Sequence, residues 1–504
     1  MNIQEAKEEI KNTLQAYLKK REDGTYAFPL LRQRPILLMG PPGIGKTAIM
    51  EQIARECQVG LVAYSITHHT RQSAIGLPQV RTKTFDGRSV DVTEYTMSEI
   101  IASVYDCMEK TGHREGILFI DEINCASETL APIMLQFLQN KTFGNHRVPE
   151  GWIIAAAGNP PEYNKSVREF DIVTLDRVRQ IDIAADVKVW LDYAVEKKIH
   201  GAVISFLSLK PDCFYQIINT PQEKSFVTAR GWEDLSEIIK SYEEIGAPVG
   251  EALMKQYLQN ESIARDFAVY YRLYCKYGTD YGIEKILRGQ ISHKAYEEKR
   301  KMAANGGFEE RFTVVYLILD YLNVHFAEYT EIDARISLLY DTLIGVKSKL
   351  NGDGSWQVLE ETIAQKKHSF EVLQNMGMMD GKNVLRETWI IRRLEEYLAK
   401  IKEEHCRKDD QICEMLKQCF EKDKNVREKA IKNLQGCLEN AFAFVEDCYK
   451  DGQEMVLFAS GLVRNKNAVR FFSAHGCDAF LEKSSIFLYR EQEKVLIEQC
   501  QDLM

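Results

Sequence analysis

The chain has 504 residues, 45% of them hydrophobic and 28% charged, with a net charge of −9 at pH 7. That length exceeds one ordinary core and predicts about two to four globular domains, while the acidity weighs against a sequence-independent nucleic-acid surface. No run approaches the roughly 18 apolar residues of a membrane span. Asp320, Asn323 and His325 interrupt Phe312 to Phe326, and Met1 to Lys20 lacks the apolar core of a signal peptide, so the expected compartment is the cytoplasm.

In chain order, residues 1–22 carry Ile3, Ile10, Leu14 and Leu18 among charges, the spacing of an amphipathic helix that docks on the domain behind it. Ile36-Leu37-Leu38-Met39 reads as a buried strand and Ala48 to Cys57 as a helix. Between them, Gly40-Pro41-Pro42-Gly43-Ile44-Gly45-Lys46-Thr47 has the spacing G-x-x-x-x-G-K-[ST]. Its glycines let successive N–H groups curl round a phosphate without Cβ clashes. Lys46 would reach β/γ oxygens, the Thr47 hydroxyl suits Mg²⁺, and the helix N-terminus faces the same anion. Leu61 to Ile66 alternates into a second strand. The adjacent His68 and His69 have no third metal ligand nearby. Val80 to Phe85 and Arg88 to Tyr95 flank Asp86-Gly87, a hairpin signal, ahead of a helix from Met97 to Lys110. A hairpin is thus inserted into what would otherwise be one helical segment.

Gly116-Ile117-Leu118-Phe119-Ile120-Asp121-Glu122 is an apolar strand ending in two carboxylates. After a phosphate loop, Asp121 suits the Mg²⁺ shell and Glu122 the polarisation of an attacking water. Ser127 opens a helix to Asn140, a polar segment with Gly144 and Pro149-Glu150-Gly151 comes next, and Trp152 to Ala157 is another strand. It ends in Gly158-Asn159-Pro160, where the Asn159 amide either orients water against a γ-phosphate or simply favours the turn before proline. Leu175-Asp176-Arg177-Val178-Arg179 leads into a fifth strand, Gln180 to Ile183. Residues 187–277 read as helical, with Thr228-Ala229-Arg230-Gly231-Trp232 opening one helix. An arginine in a first turn opposes the helix dipole, which fits an anionic partner or a surface position without a task.

From about residue 281 the chain is rich in Lys and Glu with helical apolar spacing, as in Leu394, Leu398 and Ile401, and reads as a packing and docking region. Asn351-Gly352-Asp353-Gly354-Ser355 is its best linker signal. The 12 cysteines form no C-x-x-C pair and read as free thiols. Cys406, Cys413 and Cys419, beside His405, fit no zinc spacing and read as helical core thiols rather than a metal site.

With phosphate loop, D-E strand, strand-end Asn159, Leu175-Asp176-Arg177 and Thr228 to Trp232 in this order, residues from about 30 to 280 resemble an AAA+ ATPase. More narrowly they look like the MoxR-like group of the helix-2-insert clade, which carries one hairpin in helix 2 and a second before the strand-end Asn. Asp86-Gly87 and the stretch 141–151 sit where those features fall. The resemblance implies an α/β fold, an AAA+ P-loop αβα sandwich on a parallel five-stranded sheet, then an α-helical lid and an all-α C-terminal region. The implied divisions are an N-terminal helix at 1–30, a nucleotide-binding core at 31–185 with the insert at about 68–96, a lid at 186–280, and a client- or partner-docking region at 281–504.

By the same resemblance Gly40, Pro41, Pro42, Gly43, Ile44, Gly45, Lys46, Thr47 and Ala48, with Asp121, bind ATP. Thr47 and Asp121 hold Mg²⁺, the latter through water. Glu122 is the water-activating acid, Asn159 is sensor 1, Arg230 is sensor 2, and Arg177 is the arginine finger of a neighbouring subunit. Relatives show D-R-F where this chain has Asp176-Arg177-Val178, and Arg179 and Arg168 are rivals for the finger. The aromatic-apolar-glycine pore loop expected after the second strand is missing, which weighs against threading. The implied activity is Mg²⁺-dependent ATP hydrolysis by a ring-shaped homo-oligomer, a hexamer, that remodels, matures or activates a partner complex alongside a von Willebrand factor A domain protein. One alternative is a DNA-associated motor, for which Arg81, Lys83, Arg88, Lys141 and Arg147 offer basic groups. Another is a low-turnover nucleotide-binding scaffold, against which Glu122, Asn159 and Arg230 all stand.

Overall fold

The computed structural model describes the chain apart from residues 69–70, 144–145, 164–166, 168–169, 220–223, 351–355, 376–378, 380, 407, 478–479 and 481–504. The linker read at Asn351 to Ser355, and Arg168, lie outside the described residues. The elements run α1 (Ile3–Leu18), β1 (Ile36–Met39), α2 (Lys46–Cys57), β2 (Gly60–Ser65), α3 (Arg71–Ile75), β3 (Pro78–Phe85), β4 (Arg88–Tyr95), α4 (Glu99–Thr111), β5 (Gly116–Asp121), α5 (Ala131–Asn140), β6 (Thr142–Phe143), β7 (His146–Arg147), β8 (Trp152–Gly158), α6 (Ile172–Leu175) and β9 (Arg179–Asp182). They continue through α7 (Val187–Glu196), α8 (Gly201–Leu209), β10 (Gln216–Asn219), β11 (Lys224–Val227), α9 (Ala229–Ile245), α10 (Glu251–Tyr257), α11 (Glu261–Tyr281), α12 (Ile283–Leu287), α13 (His293–Asn305) and α14 (Phe308–Lys349). The last are α15 (Gln357–Asn375), α16 (Gly381–Glu403), α17 (Asp409–Tyr449), α18 (Gln453–Arg464) and α19 (Lys466–His475). Two compact units result, one of residues 1–191 and 210–266, the other of 192–209 and 267–504.

The first unit is built on a five-stranded sheet of order β2-β5-β8-β1-β9, parallel throughout. The central strands β5 and β8 are apolar on both faces and buried, as a parallel sheet covered on both sides requires. The Trp152 ring lies against Gly116, where a Cβ would come within 2.6 Å of it. On one side of the sheet Ala6, Ile10 and Leu14 of α1 join Ile49, Met50 and Ile53 of α2 in a common core, so the amphipathic N-terminal helix does dock. An Asn2–Glu5 capping box starts that helix. The other side packs α4 and α5 through Ile100, Val104, Met134 and Phe137.

Local deviations from the sequence reading have local causes. The helix expected from Ser127 begins at Ala131, because Pro132 is tolerated only in a first turn; Ser127 instead accepts the Leu130 and Ala131 amides in a preceding turn. The stretch 187–277 is interrupted by the antiparallel hairpin β10–β11. Its Ile217, Ile218, Phe226 and Val227 are β-formers that helical reading passed over. The expected hairpin at Asp86-Gly87 forms, β3 pairing β4 over eight residues, with positive φ at both turn residues.

The second unit is helical. Its two longest helices, α14 (42 residues) and α17 (41 residues), span about 60 Å each at 1.5 Å per residue. The first half of α14 shares a core with the last third of α17, through Leu322 and Phe326 with Leu438 and Val445. A second core joins Leu339 and Val346 to Ile412, Leu416, Leu394 and Ile401. The two helices therefore run antiparallel. No helix among the described residues is long and apolar enough to cross a membrane.

Candidate nucleotide site at the strand ends

The carboxyl ends of β1, β5 and β8 lie side by side, which brings the loop 40–47, the acids and Asn159 together. The loop is shaped by two glycines with positive φ, Gly43 at 73° and Gly45 at 96°. Gly43 also abuts the Thr228 side chain, where a Cβ would close to 3.1 Å.

Four consecutive loop carbonyls accept from protein donors. The Lys46 Nζ donates to Gly40 O and Pro41 O, both at 2.8 Å. The Tyr215 hydroxyl donates to Pro42 O at 2.7 Å, and the Arg230 amide to Gly43 O at 3.3 Å. With its carbonyls engaged, the loop's polar capacity for an anion lies in the amides at the head of α2. Ala48, in the first turn, is exposed.

Lys46 also donates to Asn159 Oδ1 at 2.8 Å. Burial pushes its amine down to about 8; the Asp121 carboxylate opposes that, Arg230 adds to it, and Glu122 opposes it again. Thr47 Oγ1 donates to Asp121 Oδ2 at 2.6 Å, and Asp121 Oδ1 accepts the Glu122 amide at 2.9 Å. A hydroxyl and a carboxylate so close are hard oxygen ligands of the kind Mg²⁺ takes. Glu122 has a positive φ of 55°, an uncommon conformation for a residue with a Cβ. Its Oε2 accepts from Thr67 Oγ1 at 3.2 Å and Ser65 Oγ at 3.4 Å.

Arg230 is exposed at the start of α9, which Thr228 caps through its hydroxyl and the Gly231 amide at 3.2 Å. Its charge reaches Lys46. Arg177 is not brought to the loop of its own chain; it is exposed after α6, near Asp171, whose carboxyl is held below its usual value mainly by hydrogen bonds from Thr174 and only secondarily by Arg177. Arg179 differs, since Nη1 donates to Thr13 Oγ1 at 2.5 Å and Nη2 donates to Glu9, so it ties α1 to β9. Lys141 is 2% exposed and donates to Leu30 O at 2.5 Å, which removes it from any basic surface. In the hairpin β3–β4, Arg81 and Lys83 both pair with Glu94. Among the described residues no cluster of three or more His, Cys, Asp or Glu side chains could hold a metal ion.

Sequence reasoning passed over Ser65, Thr67, Asn124 and Tyr215. Asn124 is buried three positions after Asp121; its Nδ2 donates to Asn159 O at 2.7 Å and its Oδ1 accepts the Asn159 amide at 3.3 Å. A polar amide so soon after the acids, in an otherwise apolar turn, was the one signal available.

Residues 36–175 match the ATPase family associated with various cellular activities (AAA). No curated protein matches the chain. Among solved structures, a variant of RuvB from Thermotoga maritima is 14% identical, with 51% of this chain and 68% of that one covered and a TM-score of 0.28. The FIGL-1 AAA domain in complex with ADP is 17% identical, with 53% and 81% covered and a TM-score of 0.30.

Proposed function

We propose that this chain, through its AAA domain at 36–175, is a MoxR-like AAA+ ATPase: a ring-shaped homo-oligomer, a hexamer, that hydrolyses ATP with Mg²⁺ to remodel, mature or activate a partner complex. The observation that carries the reading is the joint placement of Lys46, Thr47, Asp121, Glu122 and Asn159 at three adjacent strand ends.

In this reading the loop amides and Lys46 hold the β- and γ-phosphates. Bound Mg²⁺ would neutralise phosphate charge, with Thr47 and Asp121 as its protein oxygens. Glu122 accepts the proton of the attacking water; the Ser65 and Thr67 hydroxyls fix the direction of its carboxylate. Asn159, whose Oδ1 is engaged by Lys46, keeps its NH₂ as a donor for water or phosphate oxygen. Arg230 adds positive charge from the head of α9. Arg177, exposed and away from its own loop, serves as the finger for a neighbouring copy, a role Arg179 cannot share while it is bound to Glu9 and Thr13. The helical unit docks the client, and a von Willebrand factor A domain protein is the expected partner.

The DNA-motor reading is weaker, because Lys141 is buried and Glu94 offsets Arg81 and Lys83, which leaves Arg88 and Arg147 as its exposed basic groups. The test is steady-state ATP turnover against protein concentration, with and without duplex DNA. Turnover per subunit that rises with concentration and ignores DNA is expected. Concentration-independent turnover would remove the interfacial finger, and strong stimulation by DNA would replace the client class.

A further inference from the structure

The last paired residues of β5 and β8 are Ile120 and Ala156. Beyond them the β5 chain turns away at Glu122 in its left-handed conformation and enters a single 3₁₀ turn, Ile123–Cys125. The β8 chain runs on to Asn159 with no β5 backbone to pair with. The Asn124 side chain fills that gap. Its carboxamide offers one donor and one acceptor, and they meet the carbonyl and the amide of Asn159 at 2.7 and 3.3 Å. The side chain therefore acts as one more peptide of the ladder.

Two further observations fix the arrangement. Asn124 is 3% exposed, so its amide has no water to exchange with. It also lies flat on Gly158, where a Cβ would come within 2.7 Å of Asn124 Oδ1. Gly158 is thus the residue that admits the contact.

We propose that Asn124 is a positioning residue of this site, holding Asn159 and hence its carboxamide in place at the end of β8, an inference that rests on the ATP-hydrolysis reading. Among the described residues its side-chain hydrogen bonds go to the Asn159 backbone, not to the phosphate loop or Lys46, so its effect is expected in the chemical step and not in nucleotide binding. A displacement of about an ångström in such a group costs up to roughly 10²-fold in rate.

The experiment uses the full chain with Asn124→Ala and Asn124→Asp. The aspartate keeps the shape and the acceptor for the Asn159 amide, but sets an oxygen against the Asn159 carbonyl. For both, kcat is expected to fall roughly 10- to 100-fold while KM and the dissociation constant for ADP stay put. The double variant Asn124→Ala with Asn159→Ala is expected to be no slower than Asn159→Ala alone, since the first residue acts through the second. A merely structural role would lower the melting temperature and multiply the two defects. Unchanged kcat in a folded Asn124→Asp protein, or multiplicative defects, would overturn the proposal while leaving the ATPase reading intact. Absence of ATP turnover in the unmodified chain would overturn both.

Discussion

The α/β unit and the helical unit place their polar side chains in opposite ways. In the first, they gather where strands stop, at backbone that no neighbouring strand satisfies, so Lys46, Asp121, Glu122 and Asn159 are held by loop carbonyls, hydroxyls and one another. In the second, charges sit within continuous helices, along stretches of α14 and α17 that separate two apolar cores. Glu331 accepts from Arg386 at 2.8 and 2.9 Å and from Arg335 at 3.2 Å; Asp333 pairs with Arg427 at 2.6 Å; Asp423 takes Tyr397 and Arg393. Those pairs are closed on themselves and fix the register of long helices, which apolar residues at helical spacing define only loosely. Polar groups at strand ends are open to chemistry; polar groups between cores hold geometry.

The comparison breaks most sharply at Arg177, an open group with no ligand of its own. Arg177→Ala is expected to lower turnover roughly 10³–10⁵-fold without loss of nucleotide affinity. Mixing that variant with Lys46→Ala subunits should restore activity, because each supplies what the other lacks. Arg179→Ala should instead loosen α1 and lower the melting temperature, with nothing regained on mixing. Failure of the mixing experiment would confine Arg177 to the surface. Next in size, Glu122→Gln is expected to slow hydrolysis about 10²–10⁴-fold and to leave ATP trapped, measured as retained radiolabelled nucleotide after gel filtration.

The open groups were the legible ones. The phosphate loop, the two acids and Asn159 are set by spacing along the chain, and the parallel five-stranded sheet followed from the resemblance those motifs carry, while the order of its strands was not legible. What spacing could not convey was which side chains would meet them. Asn124, Ser65, Thr67 and Tyr215 contribute through contacts between segments far apart in sequence, 173 positions in the case of Tyr215 with Pro42. Lys141 looked like a surface cation and is a buried one, since the sequence does not show that Leu30 would cover it with a carbonyl. The hairpin β10–β11 was lost among helices because each of its strands has only four residues, too few for a period to register.

Closed pairs should affect stability alone. Asp423 is 4% exposed and accepts from Tyr397 Oη at 2.5 Å and Arg393 Nη2 at 2.9 Å. Asp423→Ala leaves both donors without that acceptor and is expected to destabilise the helical unit by about 3 kcal/mol, a factor of roughly 10² in its folding equilibrium. Urea denaturation followed by helical circular dichroism measures it. The affinity for ADP should not change, and a weakened affinity would mean that this pair also serves the nucleotide site.

The smallest expected effect lies where an open group is nonetheless buried. The Lys46 amine is pushed down to about 8, chiefly by burial. Phosphates beside it favour the charged form, so the bound state has the higher value, and between the two values binding takes up a proton. Below pH 8 the amine is already charged in the free protein and affinity should be flat. Above pH 8 the free protein must first be protonated, so ADP affinity should fall by up to about tenfold per pH unit until the bound value is reached. Calorimetry at pH 7, 8 and 9, in buffers of different ionisation enthalpy, reads both the affinity and the proton. Lys46→Arg, charged throughout, should bind with no such slope. A flat profile in the unmodified chain would show that the loop carbonyls and Asn159 keep the amine charged despite its burial, and would place Lys46 with the closed pairs.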